Sequence, residues 1–206
     1  MELDLKTLIE IIVKFYKIFN EFWKENHKIK IPNLKKIQIN EIDDNIIQVI
    51  NEYRGLINKS TYLFFALNTL ELNAKITTRV KAQNSIQYKI ANYISNHEDG
   101  KVPIKKCIND LFGIRIVLEE RIEVKEIKEY INNLGIKDVI NIKCIDSSKG
   151  EYKATHIYFH TDNYTFPWEL QVWCKEDEKA NLESHSKYKQ GYTKWEEENK
   201  GGVDNG

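Results

Sequence analysis

The sequence predicts an α+β domain, a mixed β-sheet of about five strands flanked by helices. Three observations lead there. The chain up to about residue 72 carries apolar residues at helical spacing. From Lys75 onward, short β-branched and aromatic runs alternate with helical and turn segments. Hydrophobic residues at 41% and aromatics at 11% of 206 residues supply the apolar mass for one packed core.

The elements follow in order. Leu5, Leu8, Ile12, Phe15, Phe19 and Phe22 recur at helical spacing with Glu and Lys between them, which predicts an amphipathic helix over residues 2–25 with an aromatic face. The segment from Lys24 to Lys36 is broken by Pro32 and holds Lys24, Lys28, Lys30, Lys35 and Lys36 beside His27. It reads either as a solvated loop or as a contact for a phosphate backbone. A second helical pattern over 41–72 passes through Ile46, Ile50, Tyr53 and Ile57 to Leu63 and Leu70, bending near Asn58-Lys59-Ser60-Thr61. A strand over Lys75–Lys81, a helix over 84–96 and a turn over 97–103 around Gly100 come next. Then Phe112–Leu118 reads as a strand, and Val124–Asn133 as a helix closed by Gly135. Val139–Cys144, Tyr152–His160 and Phe166–Cys174 read as strands, the last two joined through Asp162-Asn163. A charged helix over 176–198 and a fraying tail complete the chain. The expected organisation is an N-terminal helical region over 1–74, a core with its C-terminal helix over 75–199, and a flexible tail over 200–206.

Composition narrows the function classes. The 31 basic and 31 acidic residues cancel, which excludes a strongly basic coat and leaves room for a local patch. Cys107, Cys144 and Cys174 match neither a disulfide framework nor a zinc site, as expected of a reduced, intracellular protein. Asp4, Lys6, Glu10 and Lys14 interrupt the N-terminal apolar residues, against a signal peptide. No apolar run approaches the roughly 18 residues of a membrane span. A cytoplasmic protein without a membrane partner is expected.

Chemistry concentrates in a few stretches. Strand alternation puts Trp168, Leu170 and Val172 on one face and Glu169, Gln171 and Trp173 on the other. Tyr152, Ala154 and His156 share a face, opposite Ile157 and Phe159, so an aromatic ring, an imidazole and a carboxylate could line one open surface; the alternative is an ordinary solvated sheet face. Asp110 stands just before the apolar Phe112-Gly113-Ile114-Arg115-Ile116-Val117, as a metal ligand or as a turn cap. Arg79, Lys81 and Lys89 supply spaced cations ahead of it, and taken singly would be surface charges.

Together these stretches resemble RelA/SpoT-type alarmone synthetase domains, whose fold is nucleotidyltransferase-like. Arg79-Val-Lys81-Ala-Gln-Asn-Ser85-Ile-Gln-Tyr-Lys89 is similar to the family's Arg-x-Lys-x-x-x-Ser-x-x-x-Lys, and Asp110-Leu-Phe-Gly-Ile-Arg115 to its Asp-Leu-x-Gly-x-Arg. Tyr152-Lys-Ala-Thr-His156 resembles the Gly-Tyr-Arg-Ser-x-His loop, Glu169-Leu-Gln-Val the Glu-x-Gln-Ile strand, and His185-Ser-Lys-Tyr188-Lys189 the closing His-x-x-Tyr-Lys. The motifs occur in the family's order between residues 75 and 190.

The resemblance implies a pyrophosphokinase that moves the β,γ-pyrophosphate of ATP to a ribose 3′-hydroxyl and releases AMP. It implies that Arg79, Lys81, Ser85, Lys89 and Arg115 hold ATP, with Arg121 stacking on adenine. Asp110 and Glu169 would hold Mg²⁺, Glu169 also serving as the base, and Tyr152, His156 and Gln171 would receive the acceptor. The motifs begin at Arg79 and the sequence contains no His-Asp dipeptide, which implies synthesis without hydrolysis. Ser148-Lys149-Gly150-Glu151 ahead of Tyr152, the sequence Gln171-Val172-Trp173-Cys174, and Ser184 to Gln190 resemble the toxic small alarmone synthetases of toxin–antitoxin pairs. The acceptor expected on that ground is the 3′ end of tRNA, with Lys24, Lys28, Lys30, Lys35 and Lys36 on the acceptor stem and a cognate antitoxin as partner. The alternative acceptors are GDP or GTP, and adenosine nucleotides. A monomer is favoured.

Overall fold

In the computed structural model, residues 2–60, 74–136 and 140–187 are described. Helix α1 (Glu2–Asn26) buries Leu5, Leu8, Ile12, Tyr16, Phe19 and Trp23. Phe22, expected on that face, is 49% exposed instead. The period of 3.6 residues carries the buried stripe from Phe19 to Trp23, and position 22 falls outside it. The lysine-rich segment after α1 is pinned rather than loose. Ile31 and Leu34 are buried, Leu34 N–H donates to the Asn163 carbonyl (2.8 Å), and Ile104 N–H donates to the Ile37 carbonyl (3.0 Å). Helix α2 (Asp44–Lys59) starts where the Asp43 carboxylate caps the Ile46 N–H. The expected continuation to residue 72 lies outside the described residues.

The remaining elements are β1 (Lys75–Val80), α3 (Gln83–Asn96), the single turn α4 (Ile104–Cys107), β2 (Phe112–Leu118), α5 (Val124–Asn133), β3 (Asn141–Asp146), β4 (Thr155–His160), β5 (Trp168–Cys174) and a helix, α6, over 178–187. Several bounds differ from expectation. β4 begins at Thr155 because the chain turns at Gly150 (φ +58), and Tyr152 pairs only across that turn with Lys149. The helix α4 has no apolar periodicity to announce it. The final helix starts after a 3₁₀ turn over Lys175–Asp177.

Among the described residues the strands form one mixed sheet in the order β1-β2-β5-β4-β3. β5 is central, parallel to β2 and antiparallel to β4, and every one of its residues is buried. Ile114, Ile116, Ile157, Phe159, Trp168 and Leu170 form the back of the sheet and share one hydrophobic core with α1, α2 and α5. Trp168 sits at its centre, edge-on to Tyr16 (5.2 Å) and Phe112 (4.8 Å). Its indole N–H donates to the Tyr53 hydroxyl (3.1 Å), which in turn donates to Asn20 Oδ1 (2.9 Å). These contacts fix the first residue of β5, and with it the direction in which the next residue, Glu169, points.

Candidate active site

Register decides which side chains meet on the front of the sheet. Glu169 is level with Gly113 on one side and Tyr158 on the other; Gln171 is level with Arg115 and His156. Because side chains alternate along a strand, Glu169, Gln171, His156, Tyr158 and Arg115 all face the same way.

At one end of this face stands a buried ionic cluster. β1 runs into Lys81, whose N–H donates to the Leu111 carbonyl (2.9 Å), so it arrives beside the residue that precedes β2. Lys81 Nζ lies 2.6 Å from Asp110 Oδ2, and Lys89 Nζ lies 3.0 Å from Asp110 Oδ1. Lys89, nearly two turns into α3, also donates to Asn109 Oδ1 (3.1 Å). Burial alone would raise the Asp110 pKa, but the charges of Lys89 and Lys81 outweigh it and hold the carboxyl well below its usual range. Lys89 is pushed up to about 12 because Asp110 more than offsets its burial. Lys81 goes the other way: its burial dominates, and Lys89 and Arg79 add repulsion.

The second carboxylate is Glu169. Its Oε1 accepts from the Tyr158 hydroxyl (2.9 Å) and lies 3.1 Å from His156 Nδ1, and its Oε2 accepts from Gln171 Nε2 (2.8 Å). Burial works to raise its pKa; the His156 hydrogen bond and charge outweigh this, so the group sits below the usual carboxylate range, with Asp110 opposing. Gln171 Oε1 accepts from Arg115 Nη2 (2.9 Å), and the Arg115 guanidinium lies 3.5 Å from the centre of the Trp173 ring. Arg115 therefore braces Gln171, and Gln171 braces Glu169.

Tyr152 donates or accepts at His156 Nε2 (2.9 Å), and its ring meets Trp173 and His185 edge-on. It is half-buried inside an aromatic enclosure rather than free on a loop. His185 on α6 stacks on Trp173 and lies 3.4 Å from Arg115 Nη2. Tyr188 and Lys189 of the same motif lie outside the described residues.

A cleft of about 250 Å³ runs between this face and α6, lined by Thr77, Arg79, Gly113, Arg115, Gln171 and His185 among others. Arg79 is exposed on β1 opposite Gly113, and Ser85 lies in the first turn of α3. Arg121 lies apart from this cleft: it pairs with Glu176 (2.6 Å) and Asp177 (2.8 Å) and lines a different hollow. Lys28, Lys30, Lys35 and Lys36 are exposed, whereas Lys24 is paired with Asp162.

Residues that the sequence did not single out complete the site. Tyr158 touches Glu169 directly; its signal was its place two residues from His156 on the same strand face. Asn109 steadies Lys89. Arg54 on α2 donates from Nε to the Lys81 carbonyl (2.8 Å) and from Nη1 to Gln83 Oε1 (2.7 Å), clamping the β1–α3 turn. Nothing local in the sequence ties Arg54 to that turn.

Asp110 and Glu169 offer hard carboxylate oxygens, the donors that magnesium takes. Each Asp110 oxygen gives one lone pair to a lysine and keeps another, so the donor set suits the ion.

A model described as the region found in RelA / SpoT proteins matches residues 78–193. Among solved structures, small alarmone synthetase 1 from Bacillus subtilis is similar at 19% identity over 73% of this chain and 82% of that one, with a TM-score of 0.47. Its form bound to its product pppGpp gives 21% identity over 70% and 78%, with a TM-score of 0.41. A GTP pyrophosphokinase family protein from Streptococcus pneumoniae gives 20% over 71% and 75%, with a TM-score of 0.42. No curated protein matches the chain. The matched region spans more than half of the 206 residues and takes in Arg79, Lys81, Asp110, Arg115, Glu169 and His185; the chain belongs to the RelA/SpoT family.

Proposed function

We infer that the protein is an ATP-dependent pyrophosphokinase, synthetase-only, that transfers the β,γ-pyrophosphate of ATP to the 3′-hydroxyl of the tRNA CCA end and so blocks aminoacylation and translation. The observation that carries the transferase reading is the shared sheet face on which Asp110, with its two lysines, and Glu169, with Tyr158, His156 and Gln171, stand together. Arg79, Lys81, Ser85, Lys89 and Arg115 hold the triphosphate in this reading, with Arg121 recruited to adenine from its present acidic partners. The acceptor hydroxyl attacks the β-phosphorus, the bond from that phosphorus to the α,β-bridging oxygen breaks, and AMP leaves with the electron pair. Glu169 Oε1, ionised at neutral pH, takes the hydroxyl proton. Lys81 and Lys89 stand ready to neutralise the charge on the transferred group. Mg²⁺ held by Asp110 and Glu169 would withdraw charge from the phosphoryl oxygens. Tyr152, His156 and Gln171 position the acceptor.

The choice of tRNA rests on the exposed Lys28, Lys30, Lys35 and Lys36 beside Lys24, which suit the acceptor stem. A toxin of this kind acts in the cytoplasm, as a monomer, and implies a neutralising antitoxin. No helix among the described residues is long and apolar enough to cross a membrane. The second reading is transfer to GDP or GTP, giving (p)ppGpp, or to adenosine nucleotides; the half-buried Tyr152–His156 pair favours it, since a free nucleotide's ring and ribose need no RNA contact. Labelled ATP offered with tRNA and GDP side by side, with products separated, tests both. Label on tRNA is expected. Label on GDP or on an adenosine nucleotide without label on tRNA overturns the tRNA reading, and label on no acceptor at all overturns the transferase.

A further inference from the structure

Tyr158, which does not line the cleft, borders a second, larger hollow of about 600 Å³. Its walls include Lys35, Lys105, Lys106, Lys143 and His160, and no acidic side chain is among the residues lining it. Lys35, Lys106 and Lys143 are exposed and form no ion pair among the described residues. Lys105 is aimed by the Asp162 carbonyl and Asn163 Oδ1, and the Lys24–Asp162 pair holds that turn in place. The wall is rigid, because Lys105 N–H donates to the Leu34 carbonyl (3.0 Å) and Leu34 N–H to the Asn163 carbonyl (2.8 Å). The groove reaches the reacting centre at two points: Tyr158, whose hydroxyl bonds Glu169, and Asn109, which bonds Lys89.

We propose that this groove carries the phosphodiester backbone of a single RNA strand, leading its 3′ end past Tyr158 to Glu169. The proposal deepens the acceptor reading above and rests on it. Cations spread from the segment after α1 (Lys35) to β3 (Lys143) match a row of phosphates, whereas the two phosphates of a free nucleotide would engage them at one point. His160, flanked by Lys105 and Lys143, is held at a pKa of about 4, chiefly by burial. It is therefore neutral at physiological pH and serves as a stacking or hydrogen-bonding surface for a base.

The test uses the full chain and a fluorescein-labelled single-stranded RNA ending in CCA, with anisotropy read over a salt series. The probes are K106E, K143E and their double variant, all at exposed positions; K14E/K125E on other surfaces is the control. The double variant is expected to bind RNA at least about tenfold more weakly, with the slope of log K against log salt shallower by roughly 1.4 for two lost contacts. Control RNA binding and affinity for a non-hydrolysable ATP analogue should stay unchanged. Unchanged RNA affinity in K106E/K143E overturns the groove, as does a loss confined to GDP binding, or a wild type that binds no RNA. The labelling assay is separate: a wild type that modifies GDP and never tRNA refutes the acceptor reading, whatever the groove binds. A K106E/K143E variant that labels tRNA as well as the wild type does refutes the groove and leaves the acceptor reading standing.

Discussion

Asp110→Asn removes the anion between two lysines that cannot easily reach water. Lys81, Asp110 and Lys89 side chains are 5%, 12% and 15% exposed, and the two Nζ···O separations are 2.6 and 3.0 Å. Leaving a buried charge unpartnered costs about 3–5 kcal/mol; the asparagine amide oxygen still accepts from one lysine, which puts the expected loss near 3 kcal/mol. Urea denaturation at pH 7 measures it. The pH dependence is a second signature. Against the pull of burial, Lys89 and Lys81 hold the folded Asp110 well below the usual 3.8, so the folded state binds fewer protons than the unfolded chain. The contribution is fully present above the unfolded pKa and is lost as pH falls through the folded one. The gap between wild type and variant should therefore hold from pH 7 to about 4, then narrow by about 1.4 kcal/mol per pH unit. Adding Lys89→Met to the variant should recover about 1 kcal/mol, within the range of coupled neighbours. A gap below about 1 kcal/mol at pH 7, or one that does not narrow between pH 4 and 3, would refute this account of the cluster.

The other predictions concern the remaining parts of the site. Glu169→Gln should cut pyrophosphate transfer by at least about 100-fold while leaving the far-UV spectrum unchanged, because the amide still accepts from Tyr158; wild-type turnover would remove Glu169 from the chemistry. Tyr158→Phe withdraws a donor that favours the ionised Glu169, so the acid limb of the pH–rate profile should move to higher pH, and an unmoved limb would speak against the contact. Arg54→Ala removes the clamp on the β1–α3 turn. It should raise the KM for ATP several-fold and cost about 1–2 kcal/mol in urea, with Arg54→Lys recovering part of both. An unchanged KM would confine Arg54 to stability.

The legible parts of the site were those written in short-range periodicity. Glu169 and Gln171 lie two apart on a strand, so alternation alone placed them on one face, and the polar residue before an apolar run marked Asp110. Tyr158 was illegible in its role because that role comes from register: it faces Glu169 only through the antiparallel pairing of β4 with β5. Arg54 was hidden for the same reason, acting on Lys81 across a sequence gap with no local pattern. On α1 the apolar residues outnumber the buried stripe, and packing of Tyr16 against Trp168 and of Trp23 against Tyr53 chose those rings over Phe22. Along the lysine-rich segment, charge suggested solvent, while Ile31 and Leu34 anchored its backbone to the chain near Ile104 and Asn163.

The position of β5 has a consequence for the order in which the molecule comes together. β1 with β2 and β3 with β4 are each neighbours by antiparallel pairing, but the two halves share no edge until β5 slides between β2 and β4. A nascent chain emerging N-terminus first thus holds Asp110 and His156 on unconnected fragments, with α1 waiting for the tryptophan it will pack on. Such long-range closure is slow, and catalytic competence switches on at its end rather than accumulating as synthesis proceeds.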